Sequence, residues 1–219
     1  MKSPVEMKST PAADGRKTDL TPDQALARLK EGNAAFLTDH AKPLPRGHDR
    51  RLKIALAQTP FAVLVGCSDS RVSPELLFGA GLGELFIVRN AGNTVDTVAL
   101  GSIEYGVLVL GTPLIVVLGH QRCGAVQAAL QVVQEDATFP GSIGDMIEPI
   151  IPAVLRVKSA AAGGGEALLD AAIRENVRRT VERLRTSEPS LMEPLRAGAL
   201  RIVGACYSLD QGRVDFFLE

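Results

Sequence analysis

Cys67-Ser68-Asp69-Ser70-Arg71 places a thiol, a carboxylate and a guanidinium at alternate positions, directly after the apolar run Phe61-Ala62-Val63-Leu64-Val65-Gly66. Packing alone does not call for such a set at the mouth of a buried strand. A second run, Leu114-Ile115-Val116-Val117-Leu118-Gly119, opens into His120-Gln121-Arg122-Cys123. Two thiols and an imidazole suit zinc, which favours sulfur and nitrogen donors in a tetrahedron. Structural zinc sites are usually closed by four protein ligands. Here there is one close pair, His120-x-x-Cys123, and Cys67 stands 53 residues ahead of His120. Three ligands leave a fourth position for water, the mark of a catalytic site holding one zinc per chain. The chemical rival is a cysteine nucleophile with His120 as its base, which leaves the second cysteine without a task.

The elements that position these groups have to come from a chain of ordinary composition. It has 219 residues, 46% hydrophobic and 22% charged, enough for one substantial core. A net charge of −1 offers no electrostatic footprint for nucleic acid or an anionic membrane. No apolar run approaches the roughly 18 to 20 residues of a membrane span. Met1 to Asp19 mixes Lys, Ser, Pro and Asp without an apolar segment, so it reads as a disordered arm and not as a secretory signal. Residues 20–219 are expected to form a single α/β domain. Three cysteines do not make a disulfide framework, which points to reduced thiols and a cytoplasmic setting. Cys206, inside the strand-like run Arg201 to Tyr207, is expected to be a buried, inert thiol.

Thr21-Pro22-Asp23-Gln24 predicts a helix start, with Thr21 capping, Pro22 in first position and Gln24 completing a capping box. Leu26, Leu29, Phe36 and Leu37 share one face of that helix. Residues 41–51, with Pro43 and Pro45, read as an exposed connector, and His40 and His48 as solvated loop histidines. Strands are expected over Phe61–Gly66, Leu85–Val88, Leu114–Leu118, Arg201–Ala205 and Val214–Leu218, the last two joined by a turn at Asp210-Gln211-Gly212-Arg213. Between them lie a short turn capped by Ser73, a helix over about Val95 to Leu110 and another from near Cys123 through Gln131. The stretch from Asp145 to Val157 is apolar at helical intervals and is broken at Gly163-Gly164-Gly165. A further helix carries the inner stripe Ile173, Val177, Val181 and Leu184. Alternating strands and helices predict a mostly parallel central sheet with an antiparallel edge strand, helices on both faces and an N-terminal helical arm. In such sheets sites lie beyond the carboxyl ends of the strands, where Cys67 and His120 fall.

With these residues in place, the sequence resembles the β-class carbonic anhydrases over nearly everything from Thr21 to Phe217. The motifs that carry the resemblance are Cys67-Ser68-Asp69-Ser70-Arg71-Val72, Val88-Arg89-Asn90-Ala91-Gly92-Asn93, Ile103-Glu104-Tyr105 and Gly119-His120-Gln121-Arg122-Cys123-Gly124-Ala125-Val126. The resemblance implies a zinc lyase that hydrates carbon dioxide to bicarbonate and a proton by attack of zinc-bound hydroxide. Cys67, His120 and Cys123 would bind the metal, and Asp69 and Arg71 would form the catalytic dyad. It further implies a narrow apolar pocket, lined by Gln58, Phe86 and Tyr105 and built partly across the interface of a homodimer or tetramer. The helix from Thr21 resembles the arm with which such subunits embrace a partner. Two departures stand out. Leu64 occupies a position where some members carry a Trp of a non-catalytic bicarbonate site, whose other parts match Arg89 and Tyr207. Ser208 follows Tyr207 where an Asp is common.

Asp69 has two expected partners. It pairs with Arg71 and accepts a hydrogen bond from the reacting water, or it swings onto the metal and closes the fourth position, which low pH favours. Two thiolates cancel the formal charge of zinc, so activity is expected to rise toward alkaline pH. Two further readings share the zinc site: a hydrolase of carbon disulfide or carbonyl sulfide, and a non-catalytic zinc or redox-sensing protein.

Overall fold

The computed structural model describes residues 17–38, 43–160, 165–187 and 189–219. Most of the expected arm (residues 1–16), His40, Gly163 and Gly164 lie outside the described residues. Among the described residues five strands form one sheet: β1 Ala62–Cys67, β2 Leu85–Asn90, β3 Leu114–His120, β4 Arg201–Tyr207 and β5 Val214–Leu218. Their order is β2-β1-β3-β4-β5. The first four run parallel, and β5 returns antiparallel to β4 as an edge. The expected mostly parallel sheet with an antiparallel edge is present.

The solid apolar runs are explained by burial on both faces. Along β1, β3 and β4, Leu64, Val116, Leu118 and Val203 face one way and pack with Leu26 and Leu29 of α1 (Pro22–Leu37). Val63, Ile115, Val117 and Ile202 face the other way and meet Val177, Val181 and Leu184 of α8 (Glu166–Arg185). Each such fully buried aliphatic side chain contributes roughly 1.5 to 3 kcal/mol of transfer free energy. Where α8 crosses β3 the strand carries Gly119, and a Cβ there would stand 2.8 Å from Val177 Cγ2. The remaining helices are α2 His48–Ile54, α3 Pro74–Leu77, α4 Thr97–Glu104, α5 Gly124–Glu135, α6 Ile143–Ile147, α7 Ile151–Ala160 and α9 Met192–Arg196.

The capping box at α1 forms as the sequence predicts: Gln24 N–H donates to the Thr21 hydroxyl, and Thr21 N–H donates to Gln24 Oε1. The helix lies on its own sheet, held by the buried Asn33. That amide donates to the carbonyls of Leu77 and Gly212 and accepts from Val214 N–H.

Local details differ from expectation. Residues 41–51 are not connector throughout, because His48 opens α2. Ser73 makes no side-chain cap at the four-residue α3. The helix expected to run to Leu110 ends at Glu104 and continues as a π-helical turn over Tyr105–Val109. Gly106 sits in that turn, where a Cβ would meet Val63 Cγ2 at 2.7 Å. The first strand ends one residue later than predicted and the third two residues later, so that Cys67 and His120 are themselves the last residues of β1 and β3.

Candidate metal centre

Adjacent parallel strands bring Cys67 and His120 to the same edge of the sheet. After His120 the chain turns through Arg122, held at φ 52, and Cys123 serves as the N-cap residue of α5. The ligand atoms of Cys67, His120 and Cys123 lie within 4.8 Å of one another, and all three residues are buried. The two sulfurs are 4.0 Å apart, so these are free thiols and not a disulfide.

Each donor is oriented from outside. His120 is fully buried, and its Nδ1 lies 2.9 Å from the Gln121 carbonyl, an acceptor that requires the proton on Nδ1. The lone pair is thereby left on Nε2, which has no hydrogen-bond partner among the described residues. A buried imidazole nitrogen without a partner is costly unless something electrophilic meets it. Gly92 N–H donates to Cys67 Sγ at 3.3 Å. Gly92 adopts φ 80, and a Cβ there would stand 2.6 Å from Ile150 Cδ1, so both backbone angle and space require glycine. Its carbonyl accepts from the Asn176 side chain at 2.8 Å.

The sulfurs share a proton. Cys67 is pulled down to about 4, chiefly because Cys123 donates to it, with Gly92 N–H adding to the effect against the opposing effect of burial. Cys123 is pushed up, first by that same hydrogen bond and then by burial. The fit to zinc rests on this donor set. Two sulfurs, each about 2.3 Å from a tetrahedral zinc, would stand roughly 3.8 Å apart, close to the separation seen. The orphaned Nε2 supplies the third donor.

Asp69 and Arg71 form a fork-to-fork pair beside this cluster. Arg71 Nε donates to Asp69 Oδ1 at 2.9 Å and Nη2 to Oδ2 at 2.7 Å, and Arg71 N–H donates to Oδ1 at 2.9 Å. These bonds hold the Asp69 carboxyl well below the usual carboxylate range. Asp69 Oδ2 stands 3.9 Å from His120 Nε2, so the carboxylate overlooks the cluster without belonging to it. Arg89 holds the same loop, donating from Nε to the Cys67 carbonyl at 2.7 Å and from Nη2 to the Asp69 carbonyl at 2.8 Å.

The other expected site residues are not gathered here. Phe86 pairs in register with Val63, whereas Cys67 pairs with Asn90. Phe86 is thus four residues back along β2, about 13 Å from the level of Cys67. Its ring lies 6.2 Å from that of Tyr105, which is 47% exposed, and Gln58 is exposed ahead of β1. Leu64 and Tyr207 are buried in the core. Ser208 donates to Asp210 Oδ1 at 2.6 Å, in the turn before β5. Cys206 is buried outside the ligand group, and burial pushes its thiol up to about 11, as expected of an inert cysteine. Sequence reasoning did not single out Gly92 N–H or Asn176. The glycine stood in a quoted motif, but Asn176 carries no local signal, being 84 residues from its partner.

A family model described as carbonic anhydrase matches residues 62–214. A carbonic anhydrase of Mycolicibacterium smegmatis is 42% identical over 194 residues, 89% of this chain and 92% of the relative. Carbonic anhydrase 2 of Mycobacterium tuberculosis is 42% identical over 193 residues, 88% and 91% of the two chains. Among solved structures, the Coccomyxa β-carbonic anhydrase in complex with acetazolamide superposes with a TM-score of 0.70 at 30% identity, covering 77% of this chain and 76% of that one. One of two tetrameric β-carbonic anhydrases from Sordaria macrospora gives 0.69 at 26% identity, covering 76% and 84%. The chain belongs to the β class of the carbonic anhydrase family, and its enzyme class is that of the family.

Proposed function

We propose that this chain hydrates carbon dioxide reversibly to bicarbonate and a proton, with one zinc held by Cys67, His120 and Cys123 and with Asp69 and Arg71 as the working dyad. The observation that carries the reading is the unpartnered His120 Nε2 converging with two thiol sulfurs beside an immobilised carboxylate. Zinc, when bound there, supplies a Lewis acid that makes nearby water more acidic. The two cysteine thiolates offset the ion's formal charge, so that effect is weaker than with three neutral imidazoles and hydration climbs toward alkaline pH.

Arg71 holds Asp69 ionised far into acid, which makes it a poor proton acceptor near neutrality. Its part is to accept a hydrogen bond at Oδ2 from the reacting water and so orient that water's lone pair toward carbon. Were Arg71 to let go, the same carboxylate would be the group to close the fourth position, and low pH favours that inactive state.

We assign Gln58, Phe86 and Tyr105 to the apolar substrate pocket, completed by a second copy of the chain. The half-exposed Tyr105 beside Phe86 supports self-association, as does the tetrameric state of the Sordaria macrospora proteins. Among the described residues no helix is long and apolar enough to cross a membrane, and three free cysteines suit the reducing cytoplasm. Stopped-flow hydration at about pH 7 and about pH 8.5, before and after a zinc chelator, tests the proposal. Activity that is faster at the higher pH, lost with the metal and restored by zinc supports it. Zinc-loaded protein without hydration at either pH contradicts it.

A further inference from the structure

A small cleft of about 130 Å³ lies between α8 and the loop that follows Gly92, lined by Thr94, Val95, Pro149, Asn176, Thr180 and the two arginines Arg179 and Arg183. Arg179 and Arg183 are spaced i, i+4 and so lie one helical turn apart on the same side of α8. Neither makes an ion pair or side-chain hydrogen bond among the described residues. Among the described residues no carboxylate lines the cleft. Clefts elsewhere mix their charges: Arg174 and Arg213 share one with Asp170 and Asp215, and Arg156 and Arg178 share another with Glu175 and Glu182. Arg179 borders that second cleft as well, but its Glu175 carboxylate is taken by Arg156 at 3.2 Å and Arg178 at 3.7 Å. Beside the arginines on α8 Thr180 also lines the cleft, a residue 7% exposed whose hydroxyl has no partner among the described residues. Asn176, 3% exposed, forms the inner wall.

Two unpaired guanidinium forks with the Thr180 hydroxyl beside them present donors in excess of acceptors, which is the chemistry of oxyanion recognition. The volume admits a small tetrahedral ion and excludes a nucleotide or peptide. The inner wall also leads to the metal centre: Asn176 donates to the Gly92 carbonyl at 2.8 Å, and the Gly92 amide donates to Cys67 Sγ at 3.3 Å. We propose that this cleft binds a small tetrahedral oxyanion of the phosphate class between Arg179, Thr180 and Arg183, and that Asn176 and Gly92 transmit its presence to Cys67. The transmitted part rests on the metal reading above; the binding part does not.

Equilibrium dialysis of the full chain against labelled inorganic phosphate, in about 0.15 M chloride to suppress diffuse surface attraction, tests the binding. Saturable binding at one site per chain is expected, weakened at least about tenfold in Arg179→Gln/Arg183→Gln and unchanged in Arg178→Gln, whose guanidinium is paired with Glu175. Absence of saturable binding, equal binding by the double variant, or equal loss in Arg178→Gln would overturn the site. The second readout is the visible spectrum of the cobalt-substituted chain. It should shift on phosphate addition in the parent and stay still in the double variant. A parent spectrum unmoved at saturating phosphate would overturn the link to Cys67 while leaving the dialysis result standing.

Discussion

At His120 a single backbone carbonyl decides the chemistry. By accepting a hydrogen bond from Nδ1–H, the Gln121 carbonyl leaves Nε2 as a bare acceptor in a fully buried position. Arg71 does comparable work for Asp69, fixing both carboxylate oxygens and keeping them ionised. Arg71→Ala should leave zinc content unchanged and lower hydration near neutral pH by about a hundredfold, because the carboxylate loses its orientation. The sign of the accompanying pH effect follows from the depressed Asp69 pKa. The pair's contribution to stability is present above the ordinary 3.8 and fades as pH falls through the lower folded value. Urea unfolding of wild type and variant should therefore converge in acid. The contribution is small, since the Arg71 side chain is 52% exposed. The ligands and dyad were legible because each lies in or next to a strand end, where a polar side chain has no packing reason to be. Asn176 was not, because it reaches the centre from a distant helix and only through a backbone carbonyl.

Among the elements, the turn Ala91–Asn93 links sheet, metal centre and α8. Gly92→Ala adds a Cβ at 2.6 Å from Ile150 Cδ1 in a backbone region that L side chains avoid. It should destabilise the chain by about 2 kcal/mol and weaken zinc retention, since the Gly92 N–H bond to Cys67 Sγ moves with the turn. Thermal denaturation with metal analysis on the same sample checks both; an unchanged midpoint would show that the turn relaxes freely. The strands were legible from their unbroken apolar runs, and the alternation of strand and helix implied the parallel order. What remained hidden were helix ends set by tertiary contact. The π-helical turn at Tyr105–Val109 holds Gly106 close against Val63 and Phe86, an approach that no local pattern announces.

For the whole molecule, the sheet's two buried faces give stability, and its carboxyl edge is left for chemistry. Cys206 belongs to the first task. Its pKa is raised from the ordinary 9.0 to about 11 by burial, so the folded chain holds that proton where the unfolded chain releases it. Stability is then full below pH 9.0 and falls as pH rises toward about 11, by roughly 3 kcal/mol in all. Thermal midpoints at about pH 8 and about pH 10 should separate in wild type and separate less in Cys206→Ala. The second task is the central one, and it divides into holding metal and turning over substrate. Zinc content and stopped-flow hydration of carbon dioxide, measured together on wild type and Asp69→Asn, separate the two most directly. The predicted result is about one zinc per chain in both, with hydration at least about a hundredfold slower in the variant. Equal hydration by Asp69→Asn, or loss of zinc from it, would contradict the assignment of Asp69 as the orienting group beside a three-ligand metal.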